Sequence, residues 1–127
     1  MARFLWICLG GAFGSGMRYL VALWLPTVLG AAFPWATLAV NVVGSFLLAI
    51  IMHVGAVAGL MSPTLRLALG TGIMGGFTTY STFNYETLAF LEAGVWRVAV
   101  TYIATTLVGC LAAGFAGTML ARALTGP

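Results

Sequence analysis

Charged residues are the scarcest class in this 127-residue chain: five are basic, two are acidic, and neither Lys nor Asp occurs at all. They make up 6% of the sequence, whereas hydrophobic residues make up 62% and the mean hydropathy is +1.12. A soluble domain carries about 25% charged residues. The composition therefore excludes a water-soluble domain and predicts an integral membrane protein. The charges are spread along the chain, at Arg3, Arg18, Arg66, Glu86, Glu92, Arg97 and Arg122.

Other scarce residues exclude further classes of function. The chain has one His and two Cys, and both cysteines, Cys8 and Cys110, fall in apolar stretches where they pack as small side chains. No nucleophile–base pair, metal-ligand cluster or phosphate-binding loop is recognisable, which predicts a protein that is not an enzyme. The scattered arginines form no basic stripe, which argues against nucleic-acid binding despite the net charge of +3.

Hydrophobic runs supply the architecture. A transmembrane helix needs about 20 apolar residues, and four windows satisfy this, with bounds of about 4–25, 34–57, 65–91 and 95–120. Pro26 is expected to end the first helix, whereas Pro34 and the pair Ser62-Pro63 are start signals for the second and third. The first window continues without a cleavage site, so we interpret it as a retained span rather than a signal peptide. Short connections predict antiparallel neighbouring helices in one transmembrane domain, 1–127.

Small residues recur four positions apart, as in Gly10–Gly14, Ala12–Gly16 and Ala113–Gly117, a spacing that lets helices approach closely in lipid. The third window is unusual because Gly75-Gly76 is followed by Phe77 and a run of hydroxyl residues at mid-membrane depth. Glycine weakens a helix there and hydroxyls offer the backbone other partners. Two interpretations remain open: an interrupted helix with carbonyls freed for a ligand, or a continuous helix whose hydroxyls bond to their own turn.

Polar side chains follow single helix faces in two other windows. Thr37, Asn41 and Ser45 are spaced by four, and Asn41 needs a partner at that depth, which favours a functional role. Tyr102, Thr106 and Cys110 repeat the spacing in the fourth window, where bonding between helices is the simpler interpretation for the threonine. Arg18 either extends to the headgroups or lies in a wet vestibule that attracts anions. Glu86 is expected at the interface.

Three segments together resemble the Fluc (CrcB-type) fluoride channels, in order and at matching separation along essentially the whole chain. They are Gly10-Gly11-Ala12-Phe13-Gly14-Ser15-Gly16-Met17-Arg18-Tyr19, Asn41-Val42-Val43-Gly44-Ser45-Phe46 and Gly75-Gly76-Phe77-Thr78-Thr79-Tyr80-Ser81-Thr82-Phe83. The third is the most specific. The resemblance implies an all-α membrane protein of four helices with a break in the third, assembled as an antiparallel, dual-topology homodimer in a bacterial cytoplasmic membrane. It implies passive export of fluoride, which relieves fluoride toxicity.

The resemblance also implies roles for individual residues. Main-chain carbonyls of Gly75 and Thr78 are expected to hold a structural sodium ion at the dimer centre, and Arg18 is expected in the vestibule. The fluoride pore is expected to be lined by Asn41, Tyr80, Phe83, Tyr102 and Thr106. Cys110 is expected at the end of the same polar track of the fourth helix, where a thiol is a poor hydrogen-bond donor. Two positions differ from the common family pattern, since Tyr80 stands where Phe is usual and Cys110 where Ser is usual.

Two other functions are compatible with a small helical membrane protein. A dual-topology multidrug-type transporter would need a carboxylate deep in its first helix, and this chain has none there. A membrane assembly subunit without transport activity would need only the glycine contacts, but the polar stripe through Asn41 argues against it. Ion flux from loaded proteoliposomes would separate all three functions.

The charges predict dual topology independently of the resemblance. With four spans, the amino terminus, second loop and carboxyl terminus share one side, and the first and third loops share the other. Orientation follows the excess of Lys and Arg on the cytoplasmic side. The first side carries Arg3, Arg66 and Arg122, and the other is flanked by Arg18 and Arg97. Because the difference is small, both orientations are expected.

Overall fold

A computed structural model describes residues 1–126, and every regular element among them is a helix. Helix α1 spans Ala2–Leu29, and α2 spans Trp35–Met52 and continues as a π-helix, His53–Val57. Helix α3 starts at Pro63–Arg66, continues as a π-helix over Leu67–Met74 and ends with Gly75–Phe77. Helices α4 and α5 span Tyr80–Glu92 and Trp96–Thr125.

Three of these helices are long and apolar enough to cross a membrane: Ala2–Leu29, Trp35–Val57 and Trp96–Thr125. Much of their surface is apolar side chain, including Phe4, Phe13, Leu111 and Phe115, each more than half exposed. In water such a surface would be unfavourable, whereas hydrocarbon solvates it. The all-α membrane class predicted from composition is therefore confirmed.

The first helix does not end at Pro26, so that expectation was wrong. Proline lacks the N–H that would reach the carbonyl four residues back, but its own carbonyl still accepts, and the Gly30 N–H donates to it at 2.9 Å. The helix ends at Gly30 because this residue adopts φ +83°, a conformation that glycine allows. The Ser62-Pro63 start signal is confirmed, since the Ser62 hydroxyl accepts from the Leu65 N–H at 3.2 Å.

The sequence window 65–91 contains two helices separated by extended backbone. Thr78 has φ −81° and ψ 160°, and Thr79 has φ −155° and ψ 113°. Helix α4 then restarts with Thr79 as its N-cap, because the Thr79 hydroxyl accepts from the Thr82 N–H at 3.2 Å. Of the two alternatives left open by the sequence, the interrupted helix is the one observed.

Close backbone contacts fix α1 against α3 on one side of this interruption. A Cβ at Gly14 would collide with the Ile73 carbonyl, and one at Gly76 would collide with the Gly11 carbonyl. Gly16, in contrast, has open space around it. Only part of the small-residue pattern in α1 therefore serves helix packing.

A similar contact holds α5 against α2, where a Cβ at Gly117 would meet the Phe46 carbonyl. The interrupted segment lies next to α2 as well, because a Cβ at Gly44 would meet the Thr78 side chain. Glycines at these three crossings thus bring α1, α2 and α5 close enough to surround the extended residues. Thr79 is buried at that point, and Thr78 is half-buried.

Candidate functional site: a helix interruption between two cavities

The interruption frees two main-chain carbonyls. In a continuous helix the Thr79 N–H would donate to the Gly75 carbonyl, and the Thr82 N–H to the Thr78 carbonyl. Instead, the Thr79 N–H donates to the Asn41 side chain at 2.7 Å, and the Thr82 N–H to the Thr79 hydroxyl at 3.2 Å. Gly75 and Thr78, the pair expected to hold sodium, therefore each present a carbonyl without its helical donor. Gly75 is exposed, with open space beside its Cα.

Asn41 closes the interruption with two hydrogen bonds to one residue. Its Oδ1 accepts from the Thr79 N–H at 2.7 Å, and its Nδ2 donates to the Thr79 carbonyl at 3.0 Å. Asn41 and Thr79 are 9% and 7% exposed, so in a buried setting the side-chain amide replaces the helical acceptor that the Thr79 N–H has lost and adds a second donor to the Thr79 carbonyl. The sequence marked Asn41 as needing a partner but did not identify Thr79.

A cavity of about 350 Å³ lies between α2, the interruption and α5. Asn41, Ser45 and Thr79 line one part of it, and its remaining wall is largely apolar. Of the five residues expected in a fluoride pore, four line this cavity: Asn41, Tyr80, Phe83 and Thr106. Cys110, expected at the end of the polar track, lines it as well. The structure therefore brings together side chains from three sequence segments that lie up to about 70 positions apart.

Aromatic rings form one side of this region. Phe83 is 7% exposed, and its ring centroid lies 5.0 Å from that of Tyr102 in an edge-on arrangement and 5.8 Å from that of Tyr80. Tyr102 is fully buried and is not among the cavity-lining residues. Tyr80 is 77% exposed, so most of its ring projects outward from the chain.

Thr106 has a buried hydroxyl that finds no hydrogen-bond partner among the described residues. A buried polar group without a partner is costly, so such a group in a cavity wall indicates a polar occupant of the cavity. Thr106 is four positions before Cys110 and both line the cavity, as the spacing predicted. Their side chains lie opposite Asn41 across the space between α2 and α5.

The sequence placed Glu86 at the interface, and the structure shows in addition that its carboxylate accepts hydrogen bonds from two other helices. Its Oε2 accepts from the Tyr102 hydroxyl at 2.6 Å, and its Oε1 accepts from the Thr37 hydroxyl at 3.0 Å. The carboxylate thereby joins α4 to α5 and to α2. A signal was present in the sequence, because Thr37 and Tyr102 begin the two polar stripes and a carboxylate in an apolar window requires donors.

A second cavity, of about 310 Å³, lies on the other side of the interruption. Arg18 and Ser15 of α1 line it together with Thr37 of α2 and Thr82 of α4. Arg18 is half-buried at this position. Thr79 lines both cavities, and its link to Asn41 thus lies where they approach each other.

Comparison with known proteins gives a consistent result. The family described as CrcB-like protein, Camphor Resistance (CrcB), matches residues 5–118. A fluoride-specific ion channel FluC of Anaeromyxobacter dehalogenans is 56% identical over 99% of this chain and 100% of its own length. Proteins of the same name from Sorangium cellulosum and Geobacter sulfurreducens are 53% and 46% identical over 98% of this chain, covering 98% and 100% of their own lengths. This chain, a multi-pass bacterial membrane protein, therefore belongs to the CrcB family.

Proposed function

We propose that this protein is a channel that lets fluoride cross the bacterial cytoplasmic membrane passively. The main support is that relatives named fluoride-specific ion channels match over nearly their whole length and the whole of this chain. The family resemblance of the three motifs supports the same function, and no enzymatic role is proposed.

The cavity chemistry suits a small anion. Fluoride is strongly hydrated, so a pore must replace its water with hydrogen-bond donors. Thr106 offers a hydroxyl without a partner, and the Asn41 amide has a second N–H beyond the one given to Thr79. The positive edge of the Phe83 ring adds a weak attraction. These uncharged donors would bind fluoride loosely enough to release it.

We further propose that the third crossing consists of α3 and α4 together, giving four spans. Neither helix alone approaches the length of α1. However, α3 ends and α4 begins at the interruption, so the two helices follow one another through the protein interior. Non-helical backbone is tolerated at membrane depth where it is buried in protein or lines a cavity. The bonds between Asn41 and Thr79 meet that condition.

A structural sodium ion is proposed at the carbonyls of Gly75 and Thr78. Both are hard oxygen ligands that have lost their helical donors, and Gly75 is exposed on the surface of the single chain. Two copies related by a two-fold axis would supply four such oxygens, which is closer to what a hard cation requires than two. When bound, the ion would supply a fixed positive charge near the middle of the membrane, which offsets the cost of an anion there.

The assembly proposed is an antiparallel homodimer. The near balance of arginines on the two sides supports insertion in both orientations, and an axis in the membrane plane would bring two interruptions together. Lysines added to the carboxyl terminus in one variant and to the first loop in another would fix opposite orientations. Each variant alone is expected to be inactive, with activity restored on co-expression. Full activity of either variant alone would overturn the proposal.

Fluoride efflux from proteoliposomes tests the function itself. Purified protein is expected to release trapped fluoride down its gradient, with chloride release near that of empty liposomes. The same vesicles loaded with a cationic dye test the multidrug alternative. Comparable chloride flux, or release that strictly requires a proton gradient, would contradict a passive fluoride channel.

A further inference from the structure

Cys110 differs from Cys8 in its surroundings although both are free thiols in apolar helices. Cys8 lies on the exposed face of α1, which the composition assigns to lipid. Cys110 is half-buried and lines the 350 Å³ cavity together with Thr106, Ser45 and Phe83. The chain thus carries one thiol on its outer surface and one inside the cavity.

The largely apolar wall of the cavity carries one unpartnered polar group next to Cys110, and this observation is independent of the cysteine. Thr106 is 6% exposed, its hydroxyl has no partner within residues 1–126, and it lies one helical turn from Cys110 on the same wall. A hydroxyl in this state is satisfied by water or by an anion. Because a thiol reacts with metals as its thiolate, contact with water favours reaction at Cys110 over reaction at a lipid-facing thiol.

We propose that Cys110 is a binding site for soft, thiophilic metal ions of the mercury and silver class, and that an occupied site blocks anion passage. The chemistry is a ligand exchange without oxidation or reduction. With aqueous methylmercury, the sulfur–hydrogen bond and the mercury–water bond break, a sulfur–mercury bond forms, and the proton leaves with the released water as hydronium. The blocking part of this inference rests on the proposed function, whereas the binding part does not.

Steric reasons explain the block. The bound methylmercury group would lie between the α5 wall and the rings of Tyr80 and Phe83, in a space that also contains the Asn41 side chain. It would place an apolar methyl group close to the Thr106 hydroxyl and hinder its contact with the polar occupant. The thiol contributes a weak donor by itself, so its modification acts mainly through the volume that it adds.

The test uses wild-type protein, Cys8→Ser and Cys110→Ser in liposomes, each compared with its own untreated fluoride efflux. Methylmercury is expected to reduce efflux of wild type and Cys8→Ser to background, and an excess of dithiothreitol is expected to restore it. Efflux from Cys110→Ser is expected to be insensitive. Block of Cys110→Ser to the same degree as wild type would overturn the inference.

Intact-protein mass spectrometry on the same samples distinguishes metal binding at Cys110 from block of anion passage by the bound metal. Cys8→Ser is expected to gain one methylmercury group as its efflux falls. A fully labelled Cys8→Ser with unchanged efflux would refute the block at Cys110, and an unlabelled one would refute the site. Absence of fluoride efflux from untreated wild type would instead refute the proposed function. If Cys110→Ser does not fold, Cys110→Ala replaces it in the same comparison.

Discussion

Replacing Asn41 with alanine tests the central feature of the site, the pairing of a side-chain amide with an extended main-chain residue. Asn41→Ala removes the acceptor for the Thr79 N–H and the donor to the Thr79 carbonyl, at 2.7 and 3.0 Å. Thr79 is only 7% exposed, so its N–H would remain buried without a partner, and its carbonyl would keep only the bond from α4. The interruption is expected to lose its fixed conformation, and fluoride efflux is expected to fall strongly.

The size of the effect follows from the state of Thr79 after the substitution. The Thr79 carbonyl, as the N-cap carbonyl of α4, still accepts the first hydrogen bond of that helix, so only the Thr79 N–H is left without a partner. A buried polar group in that state costs about 1–3 kcal/mol. Hydrogen bonds between membrane helices contribute only about 0.6 kcal/mol on average, because the same polar groups also find partners in the state that is unfolded within the membrane. Thr79 lines both cavities, so water can reach part of it. We therefore expect a loss in the lower half of the first range, about 1–2 kcal/mol.

Unfolding of the purified protein in detergent measures this loss, and efflux from liposomes measures function. Ser45→Ala is the matched control for the unfolding measurement alone, because the Ser45 hydroxyl donates to the Asn41 carbonyl of its own helix at 2.7 Å, whereas Ser45 also lines the cavity. Asn41→Asp keeps an acceptor for the Thr79 N–H but loses the donor. If Asn41→Ala unfolds like Ser45→Ala and conducts like wild type, the proposed role of the pairing is refuted.

Three further substitutions have expected outcomes. Gly14→Ala is expected to destabilise the fold by about 1–3 kcal/mol through overpacking against α3. Gly16→Ala, where a Cβ meets open space inside α1, should not lower stability, since Ala favours a helix over Gly. Equal losses in the two variants would contradict the packing. Tyr102→Phe removes the 2.6 Å donor to Glu86 and is expected to lower efflux and stability together; wild-type values for both would show that the bond is dispensable. Phe83→Ile is expected to cut efflux while the protein still elutes at the wild-type position in size-exclusion chromatography, and undiminished efflux would return Phe83 to a packing role.

Local signals allowed much of the fold to be predicted from the sequence. The apolar windows, the Ser62-Pro63 start and the weakened helix after Gly75 each depend on residues close together in the chain. Pro26 misled the prediction because a proline interrupts one hydrogen bond, whereas the end of the helix is set by a residue that departs from helical φ, here Gly30. The end of α1 therefore had two candidate signals in the sequence, Pro26 and Gly30, and the helix ends at Gly30.

The candidate site was less predictable because its partners come from distant segments. Asn41 was recognised as a polar residue at mid-depth, but its pairing with Thr79 depends on backbone that is no longer helical. Glu86 was missed for the same reason, since its two donors lie 49 and 16 positions away in the chain. Residue type and spacing identified which side chains are polar, while the crossing of α2, α4 and α5 decided which of them meet.

The interruption at Thr78 and Thr79 also sets the rotation of α4 about its own axis. A helical residue turns the chain by about 100°. Because Thr78 and Thr79 are extended, the side chains of α4 point in directions different from those that a continuous helix would give them. The same two residues advance about 6.6 Å in extended form instead of about 3 Å in a helix. Insertion or deletion of one residue here would turn the whole of α4 relative to α5, moving Phe83 and Glu86 away from Tyr102 in a single step. Chain length at this point is therefore constrained more tightly than residue identity, because a substitution alters one contact and a change of length alters them all.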